Sequence, residues 1–456
     1  MKKYKVLAII VVVIYFLQSI FTPFGGIMSD SLSYFGIAED LPRPETNLFP
    51  LGYPLLIKFF HLIFQDYFWA YKILNLLFTI SILVFSYKKK FYFRETTLLF
   101  AGKTFFFVFT QAVSESAFVF VLYFLVYFLH EILIKPQKLY KNAVIAALLI
   151  VSLFSIRYSA VFIYLGVLVF FFFNFIKIKN EIYAKAFFLF LILSGFGISG
   201  YLFVNYLEFK SFTGEQLRGT PSGMTYLYII RDLLGVCNVI DPFIGLKPAS
   251  NSLGSLLFQG FILVVDIFIF MYFFRYYKKA KGAPHRNFHV LLWVVAVVYT
   301  FALLFSGWIQ QIEEMGIRLL AAANFCLFFS FLILYFKYNA DDKKIWWISC
   351  FFLVFLTAYS LKDPAYYLTK KEVIKAQMPK FKNKKYLFND ERNIKTLTTY
   401  EIPIIKKTFN YEHTNKQKGK LKESLAGSVY PKIKWLKYDT VRNKSEVLYT
   451  SQLSID

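Results

Sequence analysis

From Glu115 to Ile134 the chain reads ESAFVFVLYFLVYFLHEILI. No charge interrupts it between Glu115 and Glu131. A helix crossing the hydrocarbon core of a bilayer needs about 20 mostly apolar residues, and this stretch has that length and character. Outward from it lie ten further runs of the same kind: 5–22, 67–87, 95–112, 142–156, 159–176, 184–206, 256–277, 288–306, 318–337 and 344–361. The run 142–156 is the shortest of the eleven.

The composition agrees. Of 456 residues, 57% are hydrophobic, including 57 Phe and 33 Tyr, and the mean hydropathy is +0.50. A water-soluble globule has nowhere to put so many rings. An ordinary soluble enzyme, a disordered chain and a fibrous repeat are thereby excluded. The expected fold is an all-α polytopic membrane protein with about 11 transmembrane helices, extracytoplasmic loops and a small C-terminal extracytoplasmic α/β or β domain. Residues 1–361 form the membrane domain and residues 362–456 the C-terminal one. That tail loses the long apolar runs and shows short β-like pieces, Lys385–Phe388 and Ile402–Ile405.

The formal net charge is +24. The excess sits at the ends of the apolar runs and in the tail, which points to topology control and anionic headgroups, not to nucleic acid. Met1-Lys2-Lys3-Tyr4-Lys5 precedes the first apolar run, and no small-x-small cleavage site follows it. This reads as an uncleaved signal anchor with a cytoplasmic N-terminus. Lys88-Lys89-Lys90, Lys135 with Lys138, Lys177 with Lys179, Lys278-Lys279 and Lys343-Lys344 then fall in alternate connections, as cytoplasmic loops require. The expected location is a bacterial inner (plasma) membrane, with the tail outside. The outer segments become 23–66, the turn around Ser114-Glu115-Ser116, 207–255, and Gly307 to Arg318.

Chemistry should gather on that outer side. Cys237, Cys326 and Cys350 form no CxxC pair, and the five histidines form no HExxH. Asp30 lies about one turn beyond the first apolar run, at the water–lipid boundary. There a carboxylate can act as a general base, or simply cap the segment that begins at Ser31. Glu115 sits at the mouth of a tight hairpin on the same side. It could share a divalent metal with Asp30, or complement the dipole of the helix it opens. Arg157 and Arg318 stand at the edges of apolar runs, where arginine either snorkels or clamps a phosphate. Lys58, Lys72 and Arg218 are further cations on this side. Lys103 and Asp266 fall near the middle of spans, where buried charges are costly and partnered; these two could partner each other.

Asp30 after the first run, Pro50-Leu51-Gly52-Tyr53-Pro54, Ser114-Glu115, Arg157 and Gly316-Ile317-Arg318-Leu319-Leu320 together resemble the GT-C superfamily of membrane glycosyltransferases. Its members include protein O-mannosyltransferases and the bacterial enzymes that move aminoarabinose onto lipid A. The stretch Ser211-Phe212-Thr213-Gly214-Glu215-Gln216-Leu217-Arg218-Gly219-Thr220-Pro221-Ser222 is similar to the third outer loop of bacterial relatives. The likeness covers about residues 1–340.

The resemblance implies inverting transfer of a sugar from a polyprenyl-phosphate-linked donor to an extracytoplasmic glycan, lipid or protein acceptor. It implies Asp30 as general base and Glu115 as the second acidic residue, orienting the acceptor or helping to bind metal. Arg157 and Arg318 would face the leaving phosphate, with Lys58 and Arg218 as further donor-phosphate ligands. Many relatives carry paired acids in the first loop, whereas Asp30 is flanked by Ser29 and Ser31. The alternative functions are a polysaccharide polymerase or ligase, and a transporter of lipid-linked glycans. The first concentrates its arginines in one large loop. The second calls for mid-membrane polar sites and an internal repeat.

Overall fold

The computed structural model describes residues 1–361 apart from 22–25, 27–28, 43, 45, 176–180, 215–225, 244–252, 284, 311–314 and 340; beyond 361 it describes six short strands. The first part is helical. In chain order the helices are α1 Lys2–Phe21, α2 Ser29–Asp40, α3 Gly52–Phe64, α4 Tyr67–Lys89, α5 Phe93–Phe100, α6 Lys103–Thr110, α7 Ser114–Ile134 and α8 Leu139–Ile156. They continue with α9 Ala160–Phe175, α10 Glu181–Phe209, α11 Tyr226–Gly235, α12 Leu253–Lys279, α13 Arg286–Ile309, α14 Ala321–Tyr338 and α15 Lys343–Ser360. Seven of them, α4, α7, α8, α10, α12, α13 and α14, are long and apolar enough to cross a membrane.

Local chemistry sets the helix ends. The Asp66 side chain accepts from the Phe68 N–H at the start of α4, satisfying one of the orphan donors of a first turn. At the other end Lys90 turns left-handed (φ 54°), and Lys88 and Lys89 sit in the last turn against the negative pole of the helix. The run 142–156, short in the sequence, gains a turn at its start and becomes the 18-residue α8.

Two expectations need correction. The run 95–112 is not one helix but two, α5 and α6, broken at Ala101-Gly102. Gly102 is extended (ψ 156°), and a Cβ there would lie 3.2 Å from the Pro242 carbonyl oxygen. That same carbonyl accepts the Lys103 N–H at 2.7 Å. The interruption is held open by a distant piece of chain that supplies the hydrogen bond the helix gives up. The segments expected on the outer side are also more than loops. Segment 23–66 carries α2 and α3. Segment 207–255 folds back among the helices through α11 and the 3₁₀ turn Val236–Val239. Asn324 of α14 donates to the Asn238 and Val239 carbonyls, and the Phe243 ring stacks on Phe352 of α15 at 4.7 Å. Irregular backbone is tolerated at such a place because protein groups satisfy it.

The inward faces of α4, α7, α8, α9, α13 and α14 build the interior, with Leu74, Leu122, Leu153, Ile163, Leu292 and Phe329 all buried. Helices α10 and α12 turn large side chains such as Phe196, Phe203, Phe261 and Phe268 outward, as lipid-facing helices do. Gly52 is needed where α3 meets α8: a Cβ there would fall 2.6 Å from the Ser155 carbonyl oxygen. This close approach brings the Pro50–Pro54 stretch against the end of α8, two residues from Arg157.

In the tail, β1 Lys385–Phe388 pairs parallel with β4 Tyr411–His413 and with β6 Val447–Leu453, and β5 Lys434–Lys437 pairs antiparallel with β6. The order is β4-β1-β6-β5. The strands β2 Glu401–Ile402 and β3 Lys407–Thr408 form a separate antiparallel pair. The β-like reading of 385–388 coincides with β1; of 402–405, Ile402 lies in β2 and 403–405 lie outside the described residues.

Candidate active site

Four charged residues from four separate segments meet at one end of the helical bundle. Asp30 stands in the first turn of α2, where a negative charge suits the helix pole. Its Oδ2 lies 2.8 Å from Nη1 of Arg318, in the turn that leads into α14. The Nε of Arg318 lies 3.2 Å from Oε1 of Glu115, in the first turn of α7. The same Oε1 is 2.7 Å from Nη1 of Arg157, the residue that ends α8. Glu115 thus bridges the two guanidinium groups, and Arg318 bridges the two carboxylates.

A polar shell fixes this row. Arg157 also donates to the Ser114 hydroxyl at 3.0 Å, and the Tyr34 hydroxyl is 2.8 Å from that same oxygen. Burial, reinforced by the Asp30 and Glu115 charges, raises the Tyr34 pKa well above the ordinary phenol value, so it stays neutral. Burial works against the Arg157 cation, but the neighbouring Glu115 carboxylate outweighs it and keeps the guanidinium charged.

The backbone just before Glu115 is clamped as well. The Thr110 carbonyl accepts from the Lys72 ammonium (2.9 Å), the Gln111 carbonyl from Asn75 (2.8 Å), and the Ala112 carbonyl from the Ser31 hydroxyl (2.6 Å). The Ala112 N–H donates to the Gly26 carbonyl at 2.8 Å. A turn with its polar groups so used has little freedom to re-aim the side chain that follows it.

The charges open into a cavity of about 370 Å³. Asp30, Tyr34, Arg157, Arg318, Ser306 and Gln310 give it a polar end, and Phe49, Phe154, Phe162, Ile198, Leu202 and Leu303 line an apolar wall. Glu115 is not part of the lining; it is only 3% exposed and stands behind the two arginines. The arrangement can hold an anion on two guanidinium groups, offer a carboxylate beside it, and shelter a hydrocarbon or ring against the apolar wall.

The remaining sequence candidates fall elsewhere. Lys58, on α3, is half-buried and does not line the cavity. An ammonium at mid-helix faces whichever way the helix turns it, and α3 turns this one aside. Lys72 is committed to the Thr110 carbonyl. Arg218, with residues 215–222 of the third-loop stretch, lies outside the described residues. Asp266 lies within the electrostatic reach of both Asp241 and Lys103, so the two mid-span charges share a cluster, with a second carboxylate from the folded-back segment.

A divalent metal does not fit the pair Asp30 and Glu115. Both carboxylates already face Arg318, and among the described residues no group of three His, Cys, Asp or Glu gathers to hold an ion. Tyr34 escaped the sequence reading, although a signal was available: it lies four residues after Asp30, on the same face of a helix. No protein-family model matches the chain, and no curated protein matches it either.

Proposed function

We propose that the protein is an integral membrane glycosyltransferase of the GT-C kind, an inverting enzyme that moves a sugar from a polyprenyl-phosphate-linked donor to a glycan, lipid or protein acceptor outside the cytoplasm. One observation supports this above all: Asp30, Arg157 and Arg318, far apart in sequence and joined by Glu115 behind them, meet at one cavity with a polar end and an apolar wall. In this reading the chain crosses the membrane eleven times from a cytoplasmic N-terminus, and residues 362–456 form an extracytoplasmic domain.

The chemistry follows from where charge develops. The acceptor oxygen attacks the anomeric carbon from the face opposite the phosphate, and its proton passes to Asp30. The bond between the anomeric carbon and the phosphate oxygen breaks, and polyprenyl phosphate leaves with the electron pair. The new negative charge falls on oxygens facing Arg157 and Arg318, two preorganised cations that line the cavity. Glu115 holds both guanidinium groups from behind, so it is a positioning residue and not a second base. No step calls for a metal.

The test is transfer from a panel of radiolabelled polyprenyl-phosphate sugars by the purified full-length chain. One donor should be consumed, releasing polyprenyl phosphate, and Asp30→Asn should abolish release while the protein stays monodisperse and folded. Wild-type turnover in that variant removes Asp30 as the base. Movement of an intact lipid-linked glycan across vesicles, with no bond broken, would instead favour a transporter.

A further inference from the structure

We propose that the Asp30–Arg318 ion pair is exchangeable: the phosphate of an incoming polyprenyl-phosphate lipid displaces the Asp30 carboxylate from Arg318, and the displacement releases Asp30 to meet the acceptor. The proposal rests on the transferase reading above and adds an order of events to it.

The two carboxylates that hold Arg318 are not equivalent. Glu115 contacts Nε from behind the cavity and is 3% exposed. Asp30 contacts Nη1 and is itself part of the cavity lining, as is Arg318. An anion entering the cavity meets the Nη1 side of the guanidinium while Glu115 keeps the Nε side. Arg318 can therefore change partners at one end without losing its place.

Charge balance among the four residues favours such a change. The two carboxylates and two guanidinium groups cancel one another. A phosphate that simply joined them would add an anion to four charges already paired with one another, which is costly where those charges are largely buried. If it replaces Asp30 on Arg318, each guanidinium stays paired and the unpaired carboxylate is left in the first turn of α2, at the positive pole of a twelve-residue helix. There it waits beside the sugar with an oxygen no longer engaged. The ion pair thus keeps the base occupied until a donor has arrived. This favours donor before acceptor and protects an activated site from water.

Competition makes a prediction that a simple binding site does not. Asp30 and the phosphate compete for Arg318, so removing the Asp30 charge should tighten the grip on lipid phosphate even as it destroys transfer. If the resting pair leaves Arg318 open about a tenth of the time, the gain is about tenfold. The probe is a polyprenyl monophosphate without sugar, titrated into the detergent-solubilised full-length chain. Asp30→Asn and, as a second neutral residue suited to a first turn, Asp30→Ser should each bind it about tenfold more tightly than wild type. Asp30→Glu should stay within about threefold of wild type and Arg318→Gln should lose most of the affinity, since they keep the competitor and remove the prize respectively. Equal or weaker binding by the folded neutral variants, with wild type binding normally, overturns the exchange and leaves the transferase reading standing. Absence of binding by wild type brings down both.

Discussion

The Lys72 ammonium donates a 2.9 Å hydrogen bond to the Thr110 carbonyl. Lys72 is buried on α4, and Thr110 is the last residue of α6, so a cation sits at the negative pole of a short helix. Four residues later the chain restarts as α7 with Ser114 and Glu115. Lys72→Met keeps the length and apolar stem but orphans a buried carbonyl, which costs about 1–3 kcal/mol. The expected outcome is a lower melting temperature together with weaker binding of polyprenyl phosphate, because Glu115 then loses its aim on both arginines. Lys72→Arg should restore part of the binding. If the melting temperature falls while binding is unchanged, Lys72 supports the bundle and does not position the site.

Glu115 carries a heavier duty than its neighbours. Glu115→Gln leaves two guanidinium groups facing each other across a neutral amide, with only Arg318 retaining a carboxylate, Asp30. Breaking a buried ion pair on one side costs about 3–5 kcal/mol. The variant should therefore melt well below wild type, and high salt should recover part of the loss by supplying an anion. A variant as stable as the parent would show that the bridge is not holding the two arginines.

The Arg318 turn is also wedged from the side. A Cβ on Gly235 would clash with the Met315 carbonyl oxygen, and Asp232 accepts the Met315 N–H at 2.9 Å. Gly235→Ala must push Met315 away, and overpacking of this kind costs about 1–3 kcal/mol. Since Met315 lies three residues before Arg318, the displacement should reach the guanidinium. The expected reading is a drop in thermal stability with a several-fold loss of lipid-phosphate affinity, while Gly254→Ala, in open space on α12, changes neither.

Much of this was visible in the sequence, and what was not has physical causes. Length and apolarity alone locate α7, α10, α12 and α13, because lipid demands long uninterrupted helices. Charges at the ends of apolar runs single out Asp30, Glu115, Arg157 and Arg318, since a charge there meets water or a partner at less cost than one at mid-span. The same signal picked out Lys58, which does not line the cavity: position along a helix says how deep a side chain lies, not which way it points. The break at Gly102 was hidden because its hydrogen-bond partner, Pro242, lies far along the chain. A hydropathy window averages over such a break without registering it.

Tyr34 supplies a pH test of the site. Its pKa is raised above the unfolded value near 10, first by burial and then by the Asp30 and Glu115 charges. The folded state therefore holds its proton to higher pH than the unfolded state does. Below pH about 10 the phenol is neutral in both states and its contribution is fully present. As pH climbs from there toward the raised value, the unfolded state ionises first and that contribution is lost. Tyr34→Phe removes one such group, so its melting temperature should decline less steeply than wild type between pH 9.5 and 11 (roughly the window set by the phenol). Parallel declines would mean that Tyr34 is not buried in the way its contacts with Ser114 indicate.

The two arginines should separate donor from acceptor. Arg157 and Arg318 both line the cavity, yet Arg157 faces Glu115 and Ser114 whereas Arg318 also faces Asp30. If both grip the leaving phosphate, replacing either should raise the donor KM and lower kcat, because charge on the phosphate grows as the bond breaks. Loss of one preorganised donor costs about 10²–10³ in kcat by analogy with oxyanion sites. The acceptor KM should move little. Arg157→Lys tests geometry against charge: a point cation cannot hold Glu115, Ser114 and a phosphate together, so it should recover stability better than it recovers kcat. If Arg157→Ala instead raises the acceptor KM alone, Arg157 belongs to the acceptor side of the cavity and the phosphate rests on Arg318 without it.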